Sequence, residues 1–169
     1  DERLAALVTA LGGVRGLIVA GERAARCDQD AVAVHRLAVH LRWPVLADGL
    51  SGCRRELPAT VTAFDSLLRH EPFARAHLPR VVLRLGGLLA SKELATWLAS
   101  SGALQIGMDS FGMCPDPDGV LSDSLHVDIA TAADQIRSLA PASAPPSWMA
   151  SWSAAEAAAR SAIERVTTA

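Results

Sequence analysis

Positively charged side chains stand at two places where an anion could bind. Ser91 and Lys92 open a predicted helix after an apolar run, and Lys92 is the only lysine of the chain. A helix N-terminus presents free N–H groups and a partial positive charge, so it favours an anion. A lysine there is unfavourable by about 0.3–1 kcal/mol, which an anionic ligand would relieve. We expect Ser91 and Lys92 to bind an anion, with a solvent-facing lysine as an equal alternative. Arg54 and Arg55, in a glycine-rich loop, are a further candidate anion or regulatory site.

Other chemistries find little support in the residue patterns. After the first apolar strand, Gly21 is a single glycine where a dinucleotide fingerprint needs three. There is no phosphate-binding loop motif, and the segment 49–52 lacks the spacing of a serine nucleophile elbow. Asp116 and Asp118 lie in a cluster of aspartates whose spacing does not fit a calcium loop. We therefore expect no catalytic residue and no metal site in this chain.

The cysteines and the overall composition exclude several classes of protein. Cys27, Cys53 and Cys114 are scattered and odd in number, which predicts small buried side chains in a reducing compartment. The 169 residues suit one domain, and 50% hydrophobic with 20% charged residues excludes a disordered chain. A net charge of −2 does not indicate the excess of positive charge that nucleic-acid binding needs, and the apolar runs are too short for a membrane span. With no leader visible, we expect a cytoplasmic protein.

Apolar runs alternate with amphipathic segments along most of the chain. Strands are predicted at 16–21, 43–48, 80–85, 103–108 and 125–129. Helices are predicted at 2–11, 61–69, 73–77 and 147–168. Three more begin at a capping residue: one runs from Asp28 or Asp30 to about 41, one from Ser91 to 100, and one from Thr131 to 139. Residues 49–60 are predicted as a loop. This alternation predicts an α/β fold, a Rossmann-like three-layer sandwich with a mostly parallel sheet of five or six strands.

The C-terminal part is predicted to be a separate region. Residues 141–146 are rich in proline, alanine and serine, which is typical of a linker. We divide the chain into a Rossmann-like domain, 1–140, and a linker with a connecting helix, 141–169. Because the helix is rich in alanine and its apolar stripe is weak, we expect it to pack poorly on its own domain.

Three stretches in a fixed order resemble a known family. They are WPVLADGLSG at 43–52, PRVVLRLGG at 79–87 and SKELATWL at 91–98, followed by Asp109 and the pair Asp116-Pro117. Together they resemble the central domain of 2-succinyl-5-enolpyruvyl-6-hydroxy-3-cyclohexene-1-carboxylate synthase (MenD), a thiamine-diphosphate-dependent enzyme of menaquinone biosynthesis. The likeness spans about 15–139.

The resemblance implies a transferase that decarboxylates 2-oxoglutarate and adds the succinyl unit to isochorismate. It implies that this chain is the central domain, a partly substrate-facing scaffold without catalytic residues or cofactor of its own. Thiamine diphosphate and Mg²⁺ or Mn²⁺ would belong to the parent enzyme, a homo-oligomer, whose pyrimidine-binding and diphosphate-binding domains are the implied partners. The family's lysine at the helix start faces a cleft that receives two dicarboxylates, and Lys92 matches it. Glu93 stands where some members carry an arginine.

Two other functions remain open at this point. One is the central domain of another thiamine-diphosphate enzyme, such as an acetolactate-synthase relative, in which the equivalent domain can hold a flavin. The other is a free-standing regulatory or interaction module of Rossmann-like fold. A connecting helix after Pro146 favours a domain that is linked to others over a free module.

Overall fold

A six-stranded sheet forms the centre of the protein, which is seen here in a computed structural model that describes residues 8, 11, 13–141 and 144–168. The strands are β1 (Gly16–Ala20), β2 (Val45–Ala47), β3 (Thr60–Val61), β4 (Val81–Leu85), β5 (Leu104–Asp109) and β6 (Asp123–His126). The helices are α1 (Asp28–Leu41), α2 (Phe64–Leu68), α3 (Glu71–Ala76), α4 (Lys92–Ser100), α5 (Ile129–Leu139) and α6 (Pro146–Thr167). The helix predicted at 2–11 lies outside the described residues apart from Val8 and Leu11.

All strands of the sheet are parallel, in the order β3-β2-β1-β4-β5-β6. The order reverses between β1 and β4, so the chain winds outward in two directions from this point. Helices α1 and α5 pack on each other, while α2, α3, α4 and α6 form a second group. The predicted α/β three-layer sandwich with a mostly parallel sheet is confirmed.

Strand β1 is buried along its whole length, as the glycine-bounded apolar run predicts. Gly16 at its start has no room for a side chain, because an added Cβ would lie 2.2 Å from the ring of Trp43. The indole nitrogen of Trp43 donates to the carbonyl of Val14 at 3.1 Å, and that of Trp148 donates to the carbonyl of Gly16 at 2.8 Å. The two indoles therefore fix the start of the central strand.

Several predicted boundaries and helix caps are wrong. Strand β3 lies where a loop running into a helix was expected, and β6 starts two residues earlier than predicted. Helix α1 is preceded by Cys27, not capped by Asp28 or Asp30, and Cys27 is exposed rather than buried. Helix α5 is capped by Asp128, whose carboxylate accepts the backbone N–H of Thr131 at 2.9 Å. An aspartate competes well for this position because its oxygen reaches the N3 amide.

Helix α6 packs on the sheet domain through its first half, so the prediction of poor packing is wrong there. Trp148 and Trp152 are buried, and together they contact Phe73 and His77. Glu156 is also buried, and its carboxylate accepts the Thr62 hydroxyl at 2.7 Å and the Ala63 N–H at 2.9 Å. The tryptophans lie four residues apart and share one helix face, which supplies the apolar area that the alanines lack. From 160 to 168 the helix is exposed.

Candidate functional site

The carboxyl ends of β1, β2 and β4 are joined by backbone hydrogen bonds between the loops that follow them. The N–H of Arg23 donates to the carbonyl of Leu50 at 3.0 Å, in the loop after β2. On the other side, the N–H of Glu22 donates to the carbonyl of Leu88 at 3.1 Å, and the N–H of Gly87 donates back to Glu22 at 2.7 Å. The loop after β1 is thus hydrogen-bonded to both of its neighbours.

These bonds close the crevice in which parallel α/β sheets commonly bind a nucleotide. A Cβ added to Gly21 would lie 2.4 Å from the carbonyl of Gly87, and one added to Gly86 would lie 2.5 Å from the carbonyl of Glu22. Gly86 also has a φ of 76°, which favours glycine. The glycines at this edge therefore allow two loops of the protein to come into close contact.

Helix α4 begins beside this closed edge, at the first candidate anion site. Ser91 is its N-cap, and the Ser91 hydroxyl accepts the N–H of Leu94 at 3.1 Å, which confirms the predicted cap. The same hydroxyl donates to the carboxylate of Asp65 at 2.7 Å. Lys92 is the first helical residue and is exposed. Among the described residues, no carboxylate lies within ion-pair distance of the Lys92 ammonium.

Two aspartates hold the start of α4, and the sequence reasoning missed both. Asp48, buried at the end of β2, accepts the N–H groups of Ala90 at 2.8 Å and Ser91 at 3.2 Å through one oxygen. Asp65 accepts the Ser91 hydroxyl from α2. The available signal for Asp48 is its position directly after a buried strand of a parallel sheet, where side chains of several loops meet.

The charges around the start of α4 include more carboxylates than were expected. The Ser91 hydroxyl, and then Arg69, hold the pKa of Asp65 below its usual range. Arg69 lies 3.0 Å from Asp65 and 3.5 Å from Glu93, so it offsets both acids. Asp48 already occupies two of the N–H groups just before the helix. The group that remains available to a ligand at this site is the exposed ammonium of Lys92, at the start of a helix whose backbone is held by hydrogen bonds.

The second candidate, Arg54 and Arg55, lies in the loop after β2. The Arg54 guanidinium donates to the backbone carbonyls of Ala47 at 3.1 Å and Thr62 at 2.8 Å. Arg55 forms an ion pair with Asp28 of α1. Both side chains line a cleft of about 460 Å³ beneath the second half of α6. The sequence analysis identified these two arginines as a candidate site, but it did not predict that α6 covers them.

Other features of the site follow from the described part of the chain. Within it, no three His, Cys, Asp or Glu side chains come together as a metal site. The three cysteines are unpaired, and Cys53 is the buried one. No helix in the described ranges has the length and apolar character to cross a membrane.

Comparison with known proteins gives a family for this fold and site. Residues 5–168 match the profile of the middle domain of thiamine pyrophosphate enzymes. The chain belongs to this family. The match covers nearly the whole sequence, from before β1 to the end of α6.

Curated relatives of this middle domain carry the name 2-succinyl-5-enolpyruvyl-6-hydroxy-3-cyclohexene-1-carboxylate synthase. The protein of Myxococcus xanthus is 41% identical over 61% of this chain and 18% of its own length. That of Bacillus pumilus is 34% identical over 80% of this chain and 24% of its own length, and that of Chloroflexus aurantiacus is 38% identical over 74% and 22%. The middle domain thus spans less than a quarter of each of these relatives.

A solved structure shares the fold of the middle domain. It is the X-ray structure of an enzyme from Mycobacterium smegmatis that is described as thiamin diphosphate-dependent. The TM-score is 0.52 at 17% identity, with 84% of this chain and 28% of that chain covered. At this identity the likeness concerns the fold alone.

Proposed function

We propose that this middle domain is part of a 2-succinyl-5-enolpyruvyl-6-hydroxy-3-cyclohexene-1-carboxylate synthase, in which Lys92 faces the substrates. The observation that carries the proposal is the exposed, unpaired ammonium of Lys92 at the start of a helix that two aspartates hold in place. The names of the curated relatives support the choice of this enzyme. Its reaction decarboxylates 2-oxoglutarate and adds the succinyl unit to isochorismate.

The side chains at the helix start have separate roles in this proposal. The Lys92 ammonium binds a carboxylate of either substrate, because both are dicarboxylates and an exposed lysine donates readily to such an anion. Ser91 caps the helix and links it to Asp65, and Asp48 holds the backbone just before it. These three residues position Lys92 and hold the helix start, without contacting the substrate in this scheme.

Thiamine diphosphate with Mg²⁺ or Mn²⁺ supplies the carbanion chemistry in the parent enzyme, and this domain contributes no catalytic residue to it. The partners of the domain in the proposal are the pyrimidine-binding and diphosphate-binding domains, within a homo-oligomer in the cytoplasm. Residues 141–169 then serve as linker and connecting helix, which suits the exposed second half of α6.

Exposed apolar side chains at the carboxyl edge support a contact with further protein. Leu50, Leu88, Phe111 and Met113 are each more than half exposed, in loops that follow β2, β4 and β5. Arg23 joins them, since its guanidinium lies 5.5 Å from the Phe111 ring centre and its N–H bonds to Leu50. Large apolar side chains gathered in this way are typical of interaction surfaces.

The proposal is tested by assaying the full-length protein that contains this domain. With thiamine diphosphate and Mg²⁺ it should release CO₂ from 2-oxoglutarate only when the acceptor isochorismate is present and should form the succinyl adduct. The 169-residue chain alone serves as the control and should be inactive. Turnover of pyruvate in place of 2-oxoglutarate would favour an acetolactate-synthase relative. If the protein turns over neither 2-oxoglutarate nor pyruvate, the proposal is overturned.

A further inference from the structure

A cleft lies between the loop after β2 and the second half of α6. Its volume is about 460 Å³. Its lining residues are Arg54, Arg55, Glu56, Thr62, Ala63, Arg160, Ile163 and Glu164. Three arginines, two glutamates and apolar side-chain surface thus line the cleft. We propose that this cleft binds a small polyvalent anion, a di- or tricarboxylate or a phosphate, and that the anion fixes the end of α6 to the sheet domain.

Arg54 is held in a fixed orientation by two backbone carbonyls. Its Nε donates to the carbonyl of Ala47 and one terminal nitrogen donates to the carbonyl of Thr62, at 3.1 and 2.8 Å. These carbonyls follow β2 and β3, so the guanidinium plane is fixed to the sheet. The remaining Nη1 makes no hydrogen bond within the described residues. A guanidinium held in this way loses little conformational freedom when it binds an oxyanion.

Arg160 provides the opposite wall of the cleft and is held only loosely. Its Nη2 lies 3.4 Å from an oxygen of Glu56, and the Glu56 side chain is 90% exposed. An exposed pair at this distance contributes little, so a ligand oxyanion can take the place of Glu56 at small cost. Arg55, which is paired with Asp28, adds a third positive charge. Glu56 and Glu164 also line the cleft and repel an anion, so the ligand must lie against the guanidinium groups of Arg54 and Arg160 and away from these carboxylates.

Occupancy of the cleft should change the behaviour of α6. From 160 to 168 every residue of the chain is exposed. Among the described residues, the hydrogen bond from Arg160 to Glu56 is the only side-chain hydrogen bond that joins this stretch to the rest of the domain. An anion held by both Arg54 and Arg160 adds a second connection, which links the end of the helix to the carboxyl ends of β2 and β3. The ligand therefore orders this segment.

The test uses the 169-residue chain with citrate and inorganic phosphate as probes, at low salt. Calorimetry should give saturable binding of citrate with a dissociation constant below about 1 mM. Hydrogen exchange of the amides at 160–167 should slow when citrate is present. Arg160→Gln, at an exposed position that leaves the fold intact, should weaken binding at least about tenfold. Arg54→Gln should do the same.

Arg165→Gln is the matched control, because Arg165 lies on the same helix but outside the cleft, and its side chain bonds to Ser161 and to no other described residue. It should leave citrate binding unchanged. A citrate dissociation constant above about 1 mM, or no saturable binding at all, would overturn the proposal, because affinity this weak corresponds to nonspecific association here. Equal weakening by Arg160→Gln and Arg165→Gln would also overturn it. The test requires no synthase activity, so it is independent of the proposed function.

Discussion

Replacing Trp152 by alanine removes a fully buried side chain through which α6 packs on the domain. Trp152 is fully buried, and its ring lies 5.0 to 6.3 Å from the ring centres of Phe73, His77, Trp97 and Trp148. Truncation of a buried tryptophan loses its transfer free energy and leaves a cavity, which together cost about 3–5 kcal/mol. That is a large part of the roughly 5–15 kcal/mol by which a domain of this kind is stable.

The change is measured by urea unfolding followed by far-UV circular dichroism. Val166→Ala is the control on the same helix, because Val166 is 79% exposed and its truncation should stay within about 0.5 kcal/mol of the parent. Trp152→Phe keeps most of the buried area and should cost less than the alanine variant, which provides a measurable case if Trp152→Ala does not fold. A loss below about 1 kcal/mol for Trp152→Ala would refute the packing of α6 on this domain.

Three further predictions concern other parts of the domain. Gly86→Ala should destabilise by at least about 1–3 kcal/mol through backbone strain, while Gly49→Ala, where the structure leaves open space, should not. Burial lowers the pKa of His77, so the unfolded chain binds more protons than the folded chain. The free energy of unfolding should therefore fall as the pH drops below about 6.5. In urea unfolding at several pH values, His77→Phe should reduce this dependence on pH, and an unchanged dependence would contradict the role given to His77. Asp48→Ala should speed amide exchange at Ser91, and equal protection in the variant would show that Asp48 does not hold the helix start.

The sequence predicts the sheet well because each long strand is an apolar run bounded by glycine or a polar turn. β3 was missed because Thr60 and Val61 are too few to show a period, and their pairing with β2 depends on the tertiary fold. The packing of α6 was misjudged since the mean character of an alanine-rich helix hides two large side chains, Trp148 and Trp152, on one face. Burial of a few large aromatic rings can decide the packing of a helix whose average pattern is weak.

The sequence predicts the start of α4 but not the residues that surround it. Ser91 and Lys92 follow from the rules of helix starts, and the structure keeps them at the start of α4. Asp48 and Asp65 reach this point from β2 and α2, and a sequence without tertiary contacts cannot bring them there. The same holds for Arg160, which lies more than a hundred residues from Arg54 along the chain and lines the same cleft.

The kinetics of a Lys92 variant in the full-length protein that contains this domain test the proposed synthase function most directly. Lys92→Ala should leave the fold intact and lower kcat/KM for 2-oxoglutarate or isochorismate by about 10- to 100-fold, as expected for loss of one charge-assisted hydrogen bond. Lys92→Arg should recover part of this loss, and Arg137→Ala, at an exposed arginine of α5, should have no effect. Unchanged kinetics of Lys92→Ala with both substrates would contradict the account and leave the middle domain a scaffold alone.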